Sequence, residues 1–122
     1  MAEGRGSAVI LAAVMVAVFS SGVAEAATYV VGDTGGWNFF VSGWPQGKRF
    51  VAGDVLVFNY NPNFHNLVTV DGAGYKGCTT PPGAKVYQSG RDRIRLVKGQ
   101  NYFICSIPGH CDAQMKIAVN AA

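Results

Sequence analysis

The chain has 122 residues, a length that allows one domain with a modest hydrophobic core. Its formal net charge is +3, and no basic run is interleaved with aromatic residues as in nucleic-acid-binding segments. We therefore expect one small domain in this sequence, and we do not expect nucleic acid as a partner.

The first segment has the layout of a secretory signal peptide. Arg5 gives a positive start, an apolar run follows over 8–19, and residues 24–26 read Ala-Glu-Ala, an A-x-A cleavage motif. A membrane anchor is the alternative, but twelve apolar residues are too few to cross a bilayer, which takes about 20. We predict a cleaved signal peptide over 1–26 and a single domain over 27–122.

Short alternating runs rich in Val, Ile, Phe and Tyr follow one another after residue 27, bounded by Gly, Pro, Asn or Asp. They predict strands at 28–31, 54–60, 66–71, 92–97, 102–105 and 115–119. In the clearest of these runs, Ile94 and Leu96 would face the core while Arg93 and Arg95 face solvent. One short helix could lie within 35–44 or 81–84. Many short strands with frequent turns predict an all-β sandwich or barrel.

Metal-ligating side chains recur at equal spacing near the end of the chain. Four residues separate Cys105 from His110, and four more separate His110 from Met115, the one methionine after residue 26. His65 is the other histidine. Each residue alone would more often be structural, but together they make a His₂Cys set with a weak axial Met. That set is typical of electron-transfer copper sites, so we predict one copper ion held by these four residues.

Three other functions of this cluster are less favoured. Zinc prefers three or four strong His, Cys or carboxylate ligands and has little use for a thioether. A catalytic Cys105–His110 pair would need a residue that orients His110, and none is evident in the sequence. A copper oxidase is also disfavoured, because a site saturated by four protein ligands leaves no open position for oxygen.

The three cysteines leave one thiol outside any single disulfide. If Cys105 binds metal, Cys78 and Cys111 remain as a pair, and their bridge would hold the segment next to His110. A Cys78–Cys105 bridge with Cys111 free is the alternative. We favour the first pairing because it leaves a thiolate for copper.

Several segments closely resemble the phytocyanin family, in particular its basic blue proteins, the plantacyanins. The likeness extends over nearly all of 27–122 and is most specific at Asn-Tyr-Asn-Pro (59–62), His-Asn (65–66), Ser-Gly-Arg-Asp (89–92) and Pro-Gly-His-Cys (108–111). The resemblance implies a cupredoxin fold, which is a two-sheet Greek-key β-sandwich with one type 1 copper.

The resemblance also assigns individual residues. His65, Cys105 and His110 match the family's equatorial ligands, and Met115 matches the axial ligand. Cys78 and Cys111 match the family's disulfide. Asn66 matches a position whose hydrogen bonds steady the Cys-bearing loop, although it could also be an ordinary solvent-exposed turn residue.

These features predict a secreted one-electron carrier that cycles between Cu(I) and Cu(II) and is not an enzyme. The different-class alternative is an extracellular cell-wall or signalling protein in which copper is structural or incidental. By resemblance we expect it in the apoplast or cell wall, as a monomer without a membrane anchor.

The charge that remains after cleavage bears on the partner. Residues 27–122 contain nine Lys and Arg against five Asp, a net charge of +4. This suggests an acidic redox partner or a cell-wall polyanion. The basic residues that could share one face are Arg91, Arg93, Arg95 and Lys98. A solvated strand edge is the commoner explanation of such a run.

Overall fold

The computed structural model describes residues 25–122, so the predicted signal peptide lies, apart from its last two residues, outside the described part of the chain. In the described part there are seven strands, one α-helix and a short 3-10 turn at Asp33–Gly35. The elements are β1 (Thr28–Val30), β2 (Val55–Asn59), β3 (Leu67–Val70), α1 (Gly72–Gly77), β4 (Lys85–Tyr87), β5 (Arg91–Arg95), β6 (Gly99–Ile104) and β7 (Lys116–Ala121). None of the described helices is long and apolar enough to span a membrane.

The strands form two sheets. Sheet 1 has the order β1-β2-β5, in which β1 runs parallel to β2 and β5 runs antiparallel to it. Sheet 2 has the order β4-β3-β6-β7, with all neighbours antiparallel. The predicted all-β, two-sheet fold is confirmed.

Aromatic side chains fill the space between the sheets. Phe58 of β2 and Phe103 of β6 lie with ring centroids 5.0 Å apart, and Trp37 meets Phe58 edge-on at 5.0 Å. All three are almost fully buried, and a buried side chain of this size contributes about 1.5–3 kcal/mol to stability. The indole Nε1 of Trp37 donates to the carbonyl oxygen of Asn66 at 2.9 Å. The core is thereby bonded to the residue that follows His65.

The sequence predicted six of the seven strands described and missed β4. Alternation at 92–97 corresponds to β5, where Arg93 and Arg95 are exposed as expected. The helix, however, lies in neither predicted place. It is formed by Gly72–Gly77, where Asp71 caps it by accepting a hydrogen bond from the Gly74 backbone N–H at 2.8 Å. Three glycines in six residues hid it, because glycine is a poor helix former.

Candidate metal centre

The four predicted ligands meet at one end of sheet 2. His65 lies two residues before β3, Cys105 directly follows β6, and Met115 directly precedes β7. Val68 pairs with Ile104, and Ile104 pairs with Lys116. The start of β3, the end of β6 and the start of β7 are therefore neighbours, and the sheet register brings together residues that are far apart in sequence.

The three strong donors face one another closely. The Nδ1 atoms of His65 and His110 are 3.1 Å apart, and Sγ of Cys105 is 3.5 Å from Nδ1 of His110. All three donor atoms lie within 4.8 Å of each other. A thiol converging with two imidazole nitrogens is a donor set that suits copper, so the residues present fit the predicted metal.

The backbone of the loop between β6 and β7 fixes the positions of its donors. The Cys105 N–H donates to the Met115 carbonyl at 3.0 Å, and the Met115 N–H donates to the His110 carbonyl at 3.1 Å. Met115 is fully buried and belongs to the same core cluster as Cys105. The structure therefore places Met115 beside the three stronger donors; its role as an axial ligand stays a prediction.

A disulfide holds this loop from outside. Cys78, which caps the C-terminus of α1, is bonded to Cys111, and Cys105 is a free, buried thiol. The favoured pairing is confirmed, and the Cys78–Cys105 alternative is wrong. Because Cys111 follows His110 directly, the bridge ties the histidine segment to α1.

Burial shapes the acid–base properties of the donors. Burial raises the pKa of the Cys105 thiol, while the backbone N–H groups of Asn66 and Ile107 act in the opposite direction. Burial also lowers the pKa of His65, and the neighbouring His110 adds to that effect. A neutral imidazole is the form that binds metal, so the environment of His65 favours the ligating state.

Asn66 is not a solvent-exposed turn residue. It is 5% exposed. Its Oδ1 accepts from the backbone N–H of Ser106, and its Nδ2 donates to Ser106 Oγ, both at 2.8 Å. Since Asn66 follows His65 and Ser106 follows Cys105, these bonds directly join two segments that carry predicted ligands.

Phe39 is a site residue that the sequence did not predict. Its ring lies edge-on against both histidines, with centroids 5.4 Å from His65 and 4.8 Å from His110. The next residue is bonded to the loop between β6 and β7, because the Phe40 N–H donates to the Ala113 carbonyl at 3.0 Å. Only the tertiary contact reveals this role, since no spacing in the sequence relates position 39 to position 65 or 110.

Comparisons with known proteins agree with this geometry. A family model described as a plastocyanin-like domain matches residues 34–115. The chain is 59% identical to a chemocyanin of Lilium longiflorum over the full length of both, and 58% identical to a basic blue protein of Arabidopsis thaliana, covering 99% of each. The chain belongs to the phytocyanin family. The solved structure of cucumber basic protein, a blue copper protein, superposes with a TM-score of 0.78 at 64% identity, covering 79% of this chain and all of that one.

Family membership decides several predictions. The phytocyanin resemblance, the cupredoxin fold and copper as cofactor are confirmed by the family, the structural neighbour and the converging donors. The roles of the four residues as ligands, of Asn66 as a support, and the domain boundary after residue 26 stay predictions.

Proposed function

We propose that the protein is a secreted type 1 copper protein that carries single electrons. The side chains that would hold the metal are those of His65, Cys105, His110 and Met115. The observation that supports this most directly is the convergence of one thiol and two imidazole nitrogens within 4.8 Å. Bound copper would supply a Cu(I)/Cu(II) couple in a site of mixed soft and borderline donors.

The surrounding residues would hold the donors in one arrangement. Cys105 has no exposed surface, so its sulfur is screened from water and from oxidants. Asn66 holds the residue after Cys105 by two hydrogen bonds. Phe39 packs against both imidazole rings. A donor set that is fixed in this way does not have to rearrange when the charge of the site changes, which favours electron transfer.

We propose electron transfer without substrate chemistry. Four side chains would occupy the coordination positions, which leaves none for a substrate or oxygen. His65 and His110 are both partly exposed, so their rings offer a short route between the site and a partner. A surface depression at this end is lined by apolar side chains, among them Phe39, Phe64 and Ile107.

Copper titration tests the proposal. Purified 27–122 should bind one Cu(II) per chain and become intensely blue, and ascorbate should bleach it, because the colour arises from a copper–thiolate bond. Cys105→Ser is the matched control and should give no blue colour. A colourless protein with stoichiometric Cu(II), or one that retains zinc in preference to copper, contradicts the proposal.

We further propose an extracellular location, in the apoplast or cell wall, where the chain acts as a monomer. The signal-peptide layout of 1–26 supports the extracellular location. A fusion of 1–26 to a reporter should direct the reporter out of the cell. Retention of the reporter inside the cell contradicts the proposal.

An acidic partner is proposed on the basis of the exposed arginines. Arg91, Arg93 and Arg95 alternate along β5, an edge strand, and all three are exposed. The acidic residue between them, Asp92, is 6% exposed, and its oxygens accept hydrogen bonds from Tyr60 and Ser89. The affinity of the protein for such an acidic partner should therefore fall steeply as the salt concentration rises.

A further inference from the structure

A buried carboxylate binds Ala27, the residue directly before β1. One oxygen of Asp54 accepts a hydrogen bond from the backbone nitrogen of Ala27 at 2.9 Å. The other oxygen accepts one from the backbone nitrogen of Val51, also at 2.9 Å. Asp54 is only 2% exposed. Both of these donors are neutral amides, so they stabilise a buried negative charge without neutralising it.

Ala27 also marks the point at which the chain joins sheet 1. The Ala27 carbonyl accepts a hydrogen bond from the Val55 N–H at 2.9 Å, and β1 begins at Thr28. Glu25, Ala26 and Ala27 are all exposed and lie outside regular secondary structure, but Ala27 is bonded through both its N–H and its carbonyl. The peptide bond between Ala26 and Ala27 thus lies at the boundary between an accessible segment and a hydrogen-bonded one.

We propose that processing occurs at this bond and leaves the α-ammonium group of Ala27 in an ion pair with Asp54. Hydrolysis consumes one water, gives Ala26 a carboxylate and gives Ala27 an amine. An α-amine has an ordinary pKa of about 8 and is mostly protonated at neutral pH. The nitrogen that donates to Asp54 as a neutral amide in the longer chain then donates as a cation.

Processing therefore stabilises the fold. A hydrogen bond between a cation and a carboxylate is roughly twice as strong as a neutral one, and here the carboxylate is buried. The position is also specific, because consecutive Cα atoms are about 3.8 Å apart. An amino terminus one residue earlier or later would place the ammonium away from the Asp54 oxygen that now accepts from Ala27.

The proposal uses the signal peptide but does not depend on copper or on electron transfer. It can be tested on the apoprotein with defined amino termini, so it can fail while the copper assignment holds. The three proteins needed are 27–122 with a free amine, 27–122 with Nα-acetylated Ala27, and 25–122, which keeps Glu25 and Ala26 in front of Ala27.

Thermal and urea unfolding at neutral pH and low salt should rank the free-amine protein as the most stable. Acetylation and the two-residue extension should each raise the equilibrium constant for unfolding about tenfold, and lower Tm by about 5 °C, because each restores a neutral donor. Asp54→Asn should abolish the effect of acetylation, whereas Asp112→Asn, which removes an exposed aspartate, should leave it unchanged.

Two stability results would overturn the proposed ion pair. One is equal stability of the free-amine and acetylated proteins, a comparison that needs no substitution and holds even if Asp54→Asn does not fold. The other is an effect of acetylation that is the same in Asp54→Asn as in the parent. Sequencing of the secreted protein should also give a free amino terminus at Ala27, and a terminus elsewhere contradicts the assigned processing site.

Discussion

Asn66 and Ser106 are joined by two hydrogen bonds, each 2.8 Å long, which connect the segment of His65 to the segment of Cys105. The two residues are 40 positions apart in sequence. Each directly follows a predicted copper ligand. The pair therefore fixes the relative position of the thiol and the imidazole through protein groups alone.

Replacing Asn66 should weaken copper binding. Asn66→Ala removes both hydrogen bonds and leaves the Ser106 N–H without its acceptor, so we expect copper affinity to fall about 10–100-fold. The free energy of unfolding of the apoprotein should fall by about 1–3 kcal/mol. Ser106→Ala removes only the hydroxyl partner and should have a smaller effect on both. Competition with a copper chelator measures the affinity, and equal losses in the two variants would contradict this ranking.

Phe39 should restrict the motion of both histidine rings. Edge-to-face ring pairs contribute about 0.5–1.5 kcal/mol each beyond area burial, and Phe39 forms two. Phe39→Leu should lower the Tm of the apoprotein and broaden or shift the imidazole proton resonances of His65 and His110. Phe40 is 80% exposed, so Phe40→Leu is a matched neighbour that should change the resonances little. Identical spectra for Phe39→Leu and the parent would mean that Phe39 does not restrict the two histidine rings.

Sequence reasoning predicted which side chains converge at the candidate metal centre, but not the residues that pack around them. Cys105, His110 and Met115 are close in sequence, and their chemistry is specific, so spacing alone indicated a metal site. β5 was predicted because one face is buried and the other is solvated. The Phe39 contacts and the Ser106 partner of Asn66 depend on which strands become neighbours. That information is absent from any local pattern.

β4 and α1 were missed for a different reason. β4 has three residues, two of them exposed, so it carries no alternating signal and exists because β3 offers it a partner. α1 contains three glycines and is held by the Asp71 cap and by the Cys78–Cys111 bridge. Both elements are stabilised mainly by contacts with the rest of the fold and only weakly by their own propensities.

Met115→Gln should keep copper bound but lower the reduction potential. A thioether favours the softer Cu(I), whereas an amide oxygen is harder and favours Cu(II), so the exchange shifts the balance toward the oxidised state. Voltammetry of the parent and the variant measures this difference. An unchanged potential would mean that Met115 is not a ligand and lies beside His110 only as a packing residue.

Removing the disulfide should destabilise the loop between β6 and β7 as well as the whole fold. The bridge spans a sequence separation of 33 residues. By restricting the unfolded chain, a bridge of this span adds about 3–4 kcal/mol to the free energy of unfolding. The double variant Cys78→Ala/Cys111→Ala should therefore unfold at much lower denaturant concentration and release copper faster than the parent. Chelator-driven release kinetics, measured well below the unfolding transition, separate the local effect from the global one. Unchanged release kinetics there would mean that the bridge does not steady His110.

Tyr60 should make stability depend on pH in the alkaline range. Its hydroxyl donates to the buried Asp92 carboxylate, and burial, followed by this hydrogen bond, raises the Tyr60 pKa above its ordinary value of 10.0. A raised folded-state pKa gives stability that is fully present below the unfolded-state pKa of about 10 and is lost as pH rises further.

Tyr60→Phe should accordingly lower the free energy of unfolding by about 1–3 kcal/mol at pH 7, because Asp92 loses a hydrogen-bond donor. The gap between parent and variant should narrow above about pH 10, where the unfolded parent gains stability by ionising Tyr60. Urea titrations at pH 7 and about 10.5 measure both values. Tyr29→Phe is the control, since the Tyr29 hydroxyl makes only a long, exposed contact of 3.4 Å with the Arg49 carbonyl. A gap that stays constant across this range would mean that the pKa of Tyr60 is not raised in the folded protein.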